Sequence, residues 1–343
     1  GADRTTMVSP NRTYLLLLCA LLLAGQSAAR GDDTKLYQPK NRDAWDFWFA
    51  DTGEAYYAFY LQSPLGATQP SEKWGRSSVG LATSPDLVRW TEWGDVLKAN
   101  PRGQWNDSHI ATGSTWRCGD KWLMLFTAAG QGGGIGLAES GDLKAWRKIG
   151  PVTLQYRPFP VPDDPYWRSQ GLKPGESVQY TVLADPYVLP FPVDGWHYMV
   201  ANCAVAGRPE NRRGCTGLMR SKDGRVWEDC GIVALAFDFD RPETPQLWRH
   251  GDRWHLYFGG AREKSDFCRV NLVYSARSMY GPFRATPRSE IKLPDGQGFY
   301  IAKVLTDRQG RDVLLACVGS ARLSRPYPVV YHDDGSISLE PVR

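Results

Sequence analysis

Three acidic residues stand where acids are unusual. Asp46 lies in Trp45-Asp46-Phe47-Trp48-Phe49-Ala50, Asp185 in Ala184-Asp185-Pro186-Tyr187, and Glu243 in Arg241-Pro242-Glu243-Thr244-Pro245. Each opens or interrupts a short run of aromatic and aliphatic residues, and aspartate is depleted from such runs. Each also has a plain reading. Asp46 or the Asp185-Pro186 pair could cap a turn, and the neighbouring Asp43 competes with Asp46 for any role. Carboxyl groups brought together raise the pKa of at least one of them, which leaves one as acid and another as base or nucleophile. That chemistry requires the three acids to meet, so the scaffold has to be found.

The scaffold is legible as a repeat. Gly80-Leu81-Ala82-Thr83-Ser84-Pro85-Asp86-Leu87-Val88-Arg89-Trp90 recurs as Gly136 to Trp146 and again as Gly217 to Trp227. Gly and Trp are ten residues apart each time, with Ser-x-Asp between them. A degenerate fourth copy runs from Leu272 to Phe283. Ahead of each copy is an apolar strand: Tyr56 to Tyr60, Trp122 to Thr127, Trp196 to Val200 and Trp254 to Phe258, with a fifth at Val313 to Val318. Before each of these, across a Gly-containing turn, stands one more: Asp46 to Ala50, Thr112 to Arg117, Asp185 to Leu189, Glu243 to Trp248 and Tyr300 to Thr306. No helical period competes.

Four short strands repeated about an axis make a propeller blade. The sequence therefore predicts an all-β, five-bladed β-propeller with four antiparallel strands per blade, in preference to two tandem β-sandwiches. The first strand of each blade lines the axis, which places Asp46, Asp185 and Glu243 around one channel. Trp45, Trp48 and Trp105 are candidates to stack on an apolar ring face. Gln62, Asp107 and Ser114 are candidates to bond hydroxyls, with core packing or loop solvation as the alternative for each. Loops such as Lys98 to Ile110 and Tyr156 to Gln179 are expected to project over one face, where function is usually carried.

Composition bounds the rest. The 343 residues are 42% hydrophobic and 23% charged, with a net charge of +4 and no basic stripe, which argues against a nucleic-acid partner. Met7 to Arg12 is polar, Tyr14 to Gly25 is apolar, and Gln26-Ser27-Ala28-Ala29 offers small residues for cleavage. This reads as a secretory signal peptide, too short to span a membrane. Residues 1–30 are expected to be removed and residues 31–343 to form the propeller, secreted or periplasmic and without a membrane attachment after cleavage. Export permits disulfides. Cys203 and Cys215, flanking a hairpin loop, are the expected pair, with buried free thiols as the alternative. No metal or organic cofactor is demanded.

The motifs resemble those of the clan of five-bladed propeller glycoside hydrolases, and most closely family 32 (invertase, levanase and inulinase types). Phe59-Tyr60-Leu61-Gln62 resembles that family's Phe-Tyr-Gln strand ending. Ala111-Thr112-Gly113-Ser114 echoes its Phe-Ser-Gly-Ser, Ala184-Asp185-Pro186 its Arg-Asp-Pro, and Glu243-Thr244-Pro245 its Glu-Cys-Pro. The resemblance implies hydrolysis of β-fructofuranosides in oligo- or polysaccharides, retaining and exo-acting. Asp46 would be the nucleophile, Glu243 the acid/base and Asp185 the stabiliser of the transition state. Three departures stand out. Asp46 is followed by Phe47-Trp48-Phe49 in place of Pro-Asn-Gly. Ala184 replaces the sugar-gripping Arg. The C-terminal β-sandwich typical of family 32 is not expected. The alternatives are a family 43-like inverting α-L-arabinofuranosidase or β-xylosidase, and an inactive carbohydrate-binding propeller.

Overall fold

The computed structural model describes residues 36–66, 75–260, 270–319 and 321–342. The expected signal peptide and Cys268 lie outside the described residues. The fold is the five-bladed β-propeller read from the repeat. Blades I to V begin with the inner strands Arg42–Asp51, Ile110–Cys118, Tyr180–Val188, Glu243–His250 and Phe299–Thr306. Each inner strand packs on the inner strands of the blades before and after it, with blade V returning to blade I, so the ring is closed. A separate contact locks the seam. Leu323 N–H donates to Tyr37 O at 2.9 Å and Tyr37 Oη meets Tyr60 Oη at 2.7 Å, so the segment around Tyr37 bridges blades V and I.

The hydrophobic core is divided among the blade interfaces. One cluster joins blades V, I and II around Trp48, Phe59 and Leu315, and others join II to III, III to IV and IV to V. Because a blade is covered on both faces, its middle strands are largely buried; His197–Val205 is buried at every position.

The recurring phrase has a local physical cause. A Cβ at Gly80, Gly136 or Gly217 would come within 2.3–2.6 Å of the ring of Tyr60, Phe126 or Tyr180, respectively, so each glycine makes room for an aromatic ring. The Ser-x-Asp turn then folds on itself. Asp86 accepts Val88 and Arg89 N–H at 3.0 and 2.8 Å, Asp142 accepts Lys144 and Ala145 at 2.9 Å each, and Asp223 accepts Arg225 at 2.8 Å. The following residue is left-handed in each copy: Leu87 at φ 64°, Leu143 at 66° and Gly224 at 77°. In the second and third copies its carbonyl is where the motif tryptophan docks, with Trp146 Nε1 on Leu143 O and Trp227 Nε1 on Gly224 O, both at 3.0 Å.

Two expectations are corrected. Four antiparallel strands hold for blades I and II and for blade V, where the short Arg322–Leu323 also pairs with Asp312–Val318. Blade III gains a fifth, Thr153–Gln155, paired in parallel with Val226–Leu235. Blade IV shows three among the described residues, and only the bridges Leu272↔Glu290 and Ser275↔Arg284 mark its outer edge. Pro282, Pro287 and Pro294 crowd that edge, and proline cannot donate to a ladder. The expected disulfide is also absent. Cys203 and Cys215 are direct cross-strand partners, but both are free, fully buried thiols packed as small apolar groups. The Tyr156 to Gln179 loop carries a short helix, Pro165–Ser169, capped by Asp164 and anchored by the buried Trp167.

Candidate active site

All five inner strands slip register against their partners at the same level: between Trp45 and Trp48, Ala111 and Gly113, Ala184 and Tyr187, Glu243 and Gln246, and Phe299 and Ala302. A bulge re-aims the side chains of the extra residues. Those residues include Asp46, Thr112, Asp185 and Thr244. In three of the bulges the backbone is left-handed, with φ of 52° at Asp46, 57° at Asp185 and 47° at Thr244. Aspartate tolerates this region, whereas a β-branched threonine does not, at a cost of about 1–3 kcal/mol. Thr244 is held there by hydrogen bonds at its N–H and at its carbonyl.

Those bonds connect the acids. Asp185 Oδ2 accepts Thr244 N–H at 2.9 Å and lies 3.5 Å from Asn202 Nδ2. The Asp185 N–H donates to Thr127 Oγ1 at 3.0 Å, and that hydroxyl donates to Thr112 O at 3.3 Å. Thr112 in turn donates its own hydroxyl to Asp46 Oδ2. Asp46 and Asp185 are 3% and 4% exposed. Glu243 keeps 13% of its side chain accessible and pairs with Arg241 Nε at 3.3 Å.

The electrostatics separate the acids. Burial first, then the charge of Asp185 and more weakly that of Asp46, push the Glu243 carboxyl well above its ordinary range, and Arg241 only partly opposes this. Glu243 is thus the acid suited to carry a proton. Beneath the acids lies Lys303, 4% exposed, whose Nζ donates to Thr244 O at 2.7 Å. Lys303 also lines a cavity of about 390 Å³ at the far end of the channel, shared with Tyr56, Trp116, Tyr187, Gln246 and Trp248.

The other sequence candidates are placed differently. Trp45 sits in the core at 3% exposure. Trp48 stacks on Phe59 with ring centroids 6.0 Å apart and donates Nε1 to Thr115 Oγ1 at 3.0 Å. Gln62 donates to Asp95 Oδ1 at 2.6 Å, and Ser114 Oγ accepts Val188 N–H at 2.9 Å, tying blade II to blade III. Asp107 accepts Gly103 and Gln131 N–H at 2.7 and 2.8 Å and braces its loop, in which Trp105 leans on Phe126. Asp43 accepts Gly66 N–H at 3.3 Å, away from the bulge. The structure therefore gathers Asp46, Asp185 and Glu243, and commits Trp48, Gln62 and Ser114 to internal contacts. Lys303, Thr112, Thr127, Asn202 and Thr244 were not singled out from sequence as polar groups of the site. The Asn202 Oδ1 and Thr244 Oγ1 atoms are buried without a hydrogen-bond partner among the described residues. No group of three His, Cys, Asp or Glu among those residues is placed to hold a metal ion.

No protein-family model matches the sequence, and no curated protein matches it either. Solved structures do resemble it. A B. subtilis levansucrase variant superimposes with a TM-score of 0.65 at 12% identity, over 92% of this chain and 90% of that one. The fold is the one these enzymes share. A Bombyx mori family 32 β-fructofuranosidase variant in complex with sucrose gives 0.62 at 18% identity, over 90% of this chain and 64% of that one. A thermostable family 43 glycoside hydrolase gives 0.59 at 14% identity, over 88% and 94%.

Proposed function

We propose that the chain is a glycoside hydrolase, retaining and exo-acting on β-fructofuranosides. The observation that carries this reading is the division of labour among three carboxyls at one level of the channel. One, Glu243, favours its protonated form, and it stands beside two buried aspartates held by hydrogen-bond donors. Glu243 gives its proton to the leaving glycosidic oxygen while an Asp46 oxygen bonds to the anomeric carbon and the glycosidic bond breaks. Water then attacks the glycosyl ester, Glu243 takes its proton, and the ester bond to Asp46 breaks. Asp185 accepts substrate hydroxyls and steadies the positive charge of the transition state. The apolar run from Tyr14 to Gly25 supports export, and an oligo- or polysaccharide is the partner.

A second reading has one observation in its favour. Ala184 stands where family 32 carries the Arg that grips the sugar, which supports an inverting family 43-like activity on arabinose or xylose. Incubation with fructans, arabinans and xylans, with the freed sugar identified and its anomer followed by NMR, separates the two. Asp46→Ala and Glu243→Gln are expected to abolish sugar release while preserving the folded circular-dichroism spectrum. Sugar release near the native rate in either variant would sink the assignment, and turnover on any glycoside excludes an inert binding propeller.

A further inference from the structure

Lysine is almost never buried without a partner. Lys303 is 4% exposed, in the inner strand of blade V, among the apolar residues Ile301, Ala302, Val304 and Leu305. Its Nζ makes a hydrogen bond to Thr244 O at 2.7 Å, and the Tyr257 ring centroid lies 5.4 Å away. Those contacts alone do not balance a buried charge. The balance comes from across the channel, where Asp46 of blade I and Asp185 of blade III both favour its charged form.

We infer that Lys303 is the counter-ion of the channel acids, a positioning residue that balances Asp46 and Asp185 from beneath and braces the Thr244 peptide behind Glu243. The inference rests on the glycosidase reading for its catalytic consequence, but not for the pairing itself. Thr244 is the link. Its carbonyl accepts a hydrogen bond from Lys303 Nζ and its N–H donates to Asp185 Oδ2 at 2.9 Å, so one left-handed residue is clamped between a cation and an anion. Glu243 precedes that peptide, so its direction depends on the clamp.

The charges around Lys303 can be set against one another. Asp46, Asp185 and Glu243 stand on the acid side, with Arg241 already engaged by Glu243. On the cavity side the rim carries Asp51 and Asp312 against Arg117 and Arg249, two of each sign. Among the described residues, Lys303 is therefore the cation at the level of the two aspartates. Burial lowers its pKa to about 8 against their pull, so it is charged at neutral pH and loses its proton on the alkaline side.

Two measurements test this. The first is a thermal-stability cycle of Lys303→Met, Asp46→Asn and the double variant, which needs no substrate. Pairing predicts that Asp46→Asn recovers most of the melting temperature lost in Lys303→Met, and additive losses would overturn it. The second is kcat/KM against pH. The acid limb of Lys303→Met is expected to move up by about one pH unit, a ten-fold loss on that limb, because the coupled carboxyls lose their counter-charge. Lys303→Arg cannot deprotonate, so any part of the alkaline fall that comes from Lys303 near pH 8 is removed in it, and the limb should move up to the position set by the Glu243 proton alone. Unmoved limbs in both variants would overturn the role. If Lys303→Met does not fold, the Lys303→Arg profile decides alone. If the native protein releases no sugar, the glycosidase reading falls and the stability cycle still judges the pairing.

Discussion

Thr244 and Asp185 are joined across two blades by a 2.9 Å hydrogen bond from the Thr244 N–H to the Asp185 carboxylate, and both residues are left-handed. The acid of blade III thus fixes the peptide that directly follows the acid of blade IV. Two catalytic candidates 58 positions apart in the chain, Asp185 and Glu243, are set by one contact. Their relative placement is a property of the blade interface and not of either loop.

Glu243→Gln should cost about 10²- to 10⁴-fold in kcat for a natural glycoside, measured by reducing-sugar release. The same substitution should change stability with the opposite sign. Folding raises the Glu243 pKa above its ordinary value of 4.5, so the folded chain binds more protons than the unfolded one across that window. The stability this provides is present below 4.5 and lost as pH rises through the folded value. Urea denaturation from pH 4 to 8 is therefore expected to show a shallower decline in the Gln variant, and a higher midpoint than native at neutral pH. An unchanged slope would refute the assignment of Glu243 as the proton carrier.

Asp142→Ala removes the acceptor for Lys144 and Ala145 N–H, both at 2.9 Å, beside a leucine held at φ 66°. A loss of about 1–2 kcal/mol is expected, similar to the removal of a helix cap. Sugar release should not change, because this turn lies on an outer edge of blade II. A drop in kcat as large as the drop in stability would show that the turn reaches the site.

Arg308 holds Asp51 through two bonds of 2.7 and 2.8 Å and lies 3.7 Å from the Tyr56 ring centroid, joining blade V to blade I. Both side chains of the ion pair are about a third exposed, so the pair is worth no more than ~1 kcal/mol in spite of its geometry. Arg308→Ala should lower the unfolding midpoint slightly, and the difference should shrink between 0.05 and 0.5 M salt. A loss several times larger would mean that the seam depends on this pair more than on the buried contacts around Tyr37 and Leu323.

The repeat was readable because its spacing has a rigid cause: the glycine admits a ring, the aspartate ties the turn, and in the second and third copies the tryptophan docks on the left-handed carbonyl. The acids were readable because aspartate within Trp45 to Ala50 has no reason to be there other than its surroundings in the fold. Lys303 was not, although a lone cation in Phe299–Thr306 is as anomalous as Asp46, because its partners come from other blades. Trp48, Gln62 and Ser114 show the converse limit. Sequence marks a polar or aromatic residue near an inner strand, but not whether it turns to the channel or to the neighbouring blade. Cys203 and Cys215 were correctly adjacent, yet adjacency did not decide whether a bond forms.

The five bulges belong to the backbone and not to the acids. Blades II and V carry the same interruption with Thr112 and with Tyr300-Ile301 in it, and no carboxylate. The mouth of the channel is in effect a five-place mount, of which lineage or design can fill any subset. A carboxylate moved to position 112 would meet Asp46 directly, which turns a hydroxyl–carboxylate contact into a shared-proton pair. The geometry that made one set of chemistry available leaves others within a single substitution.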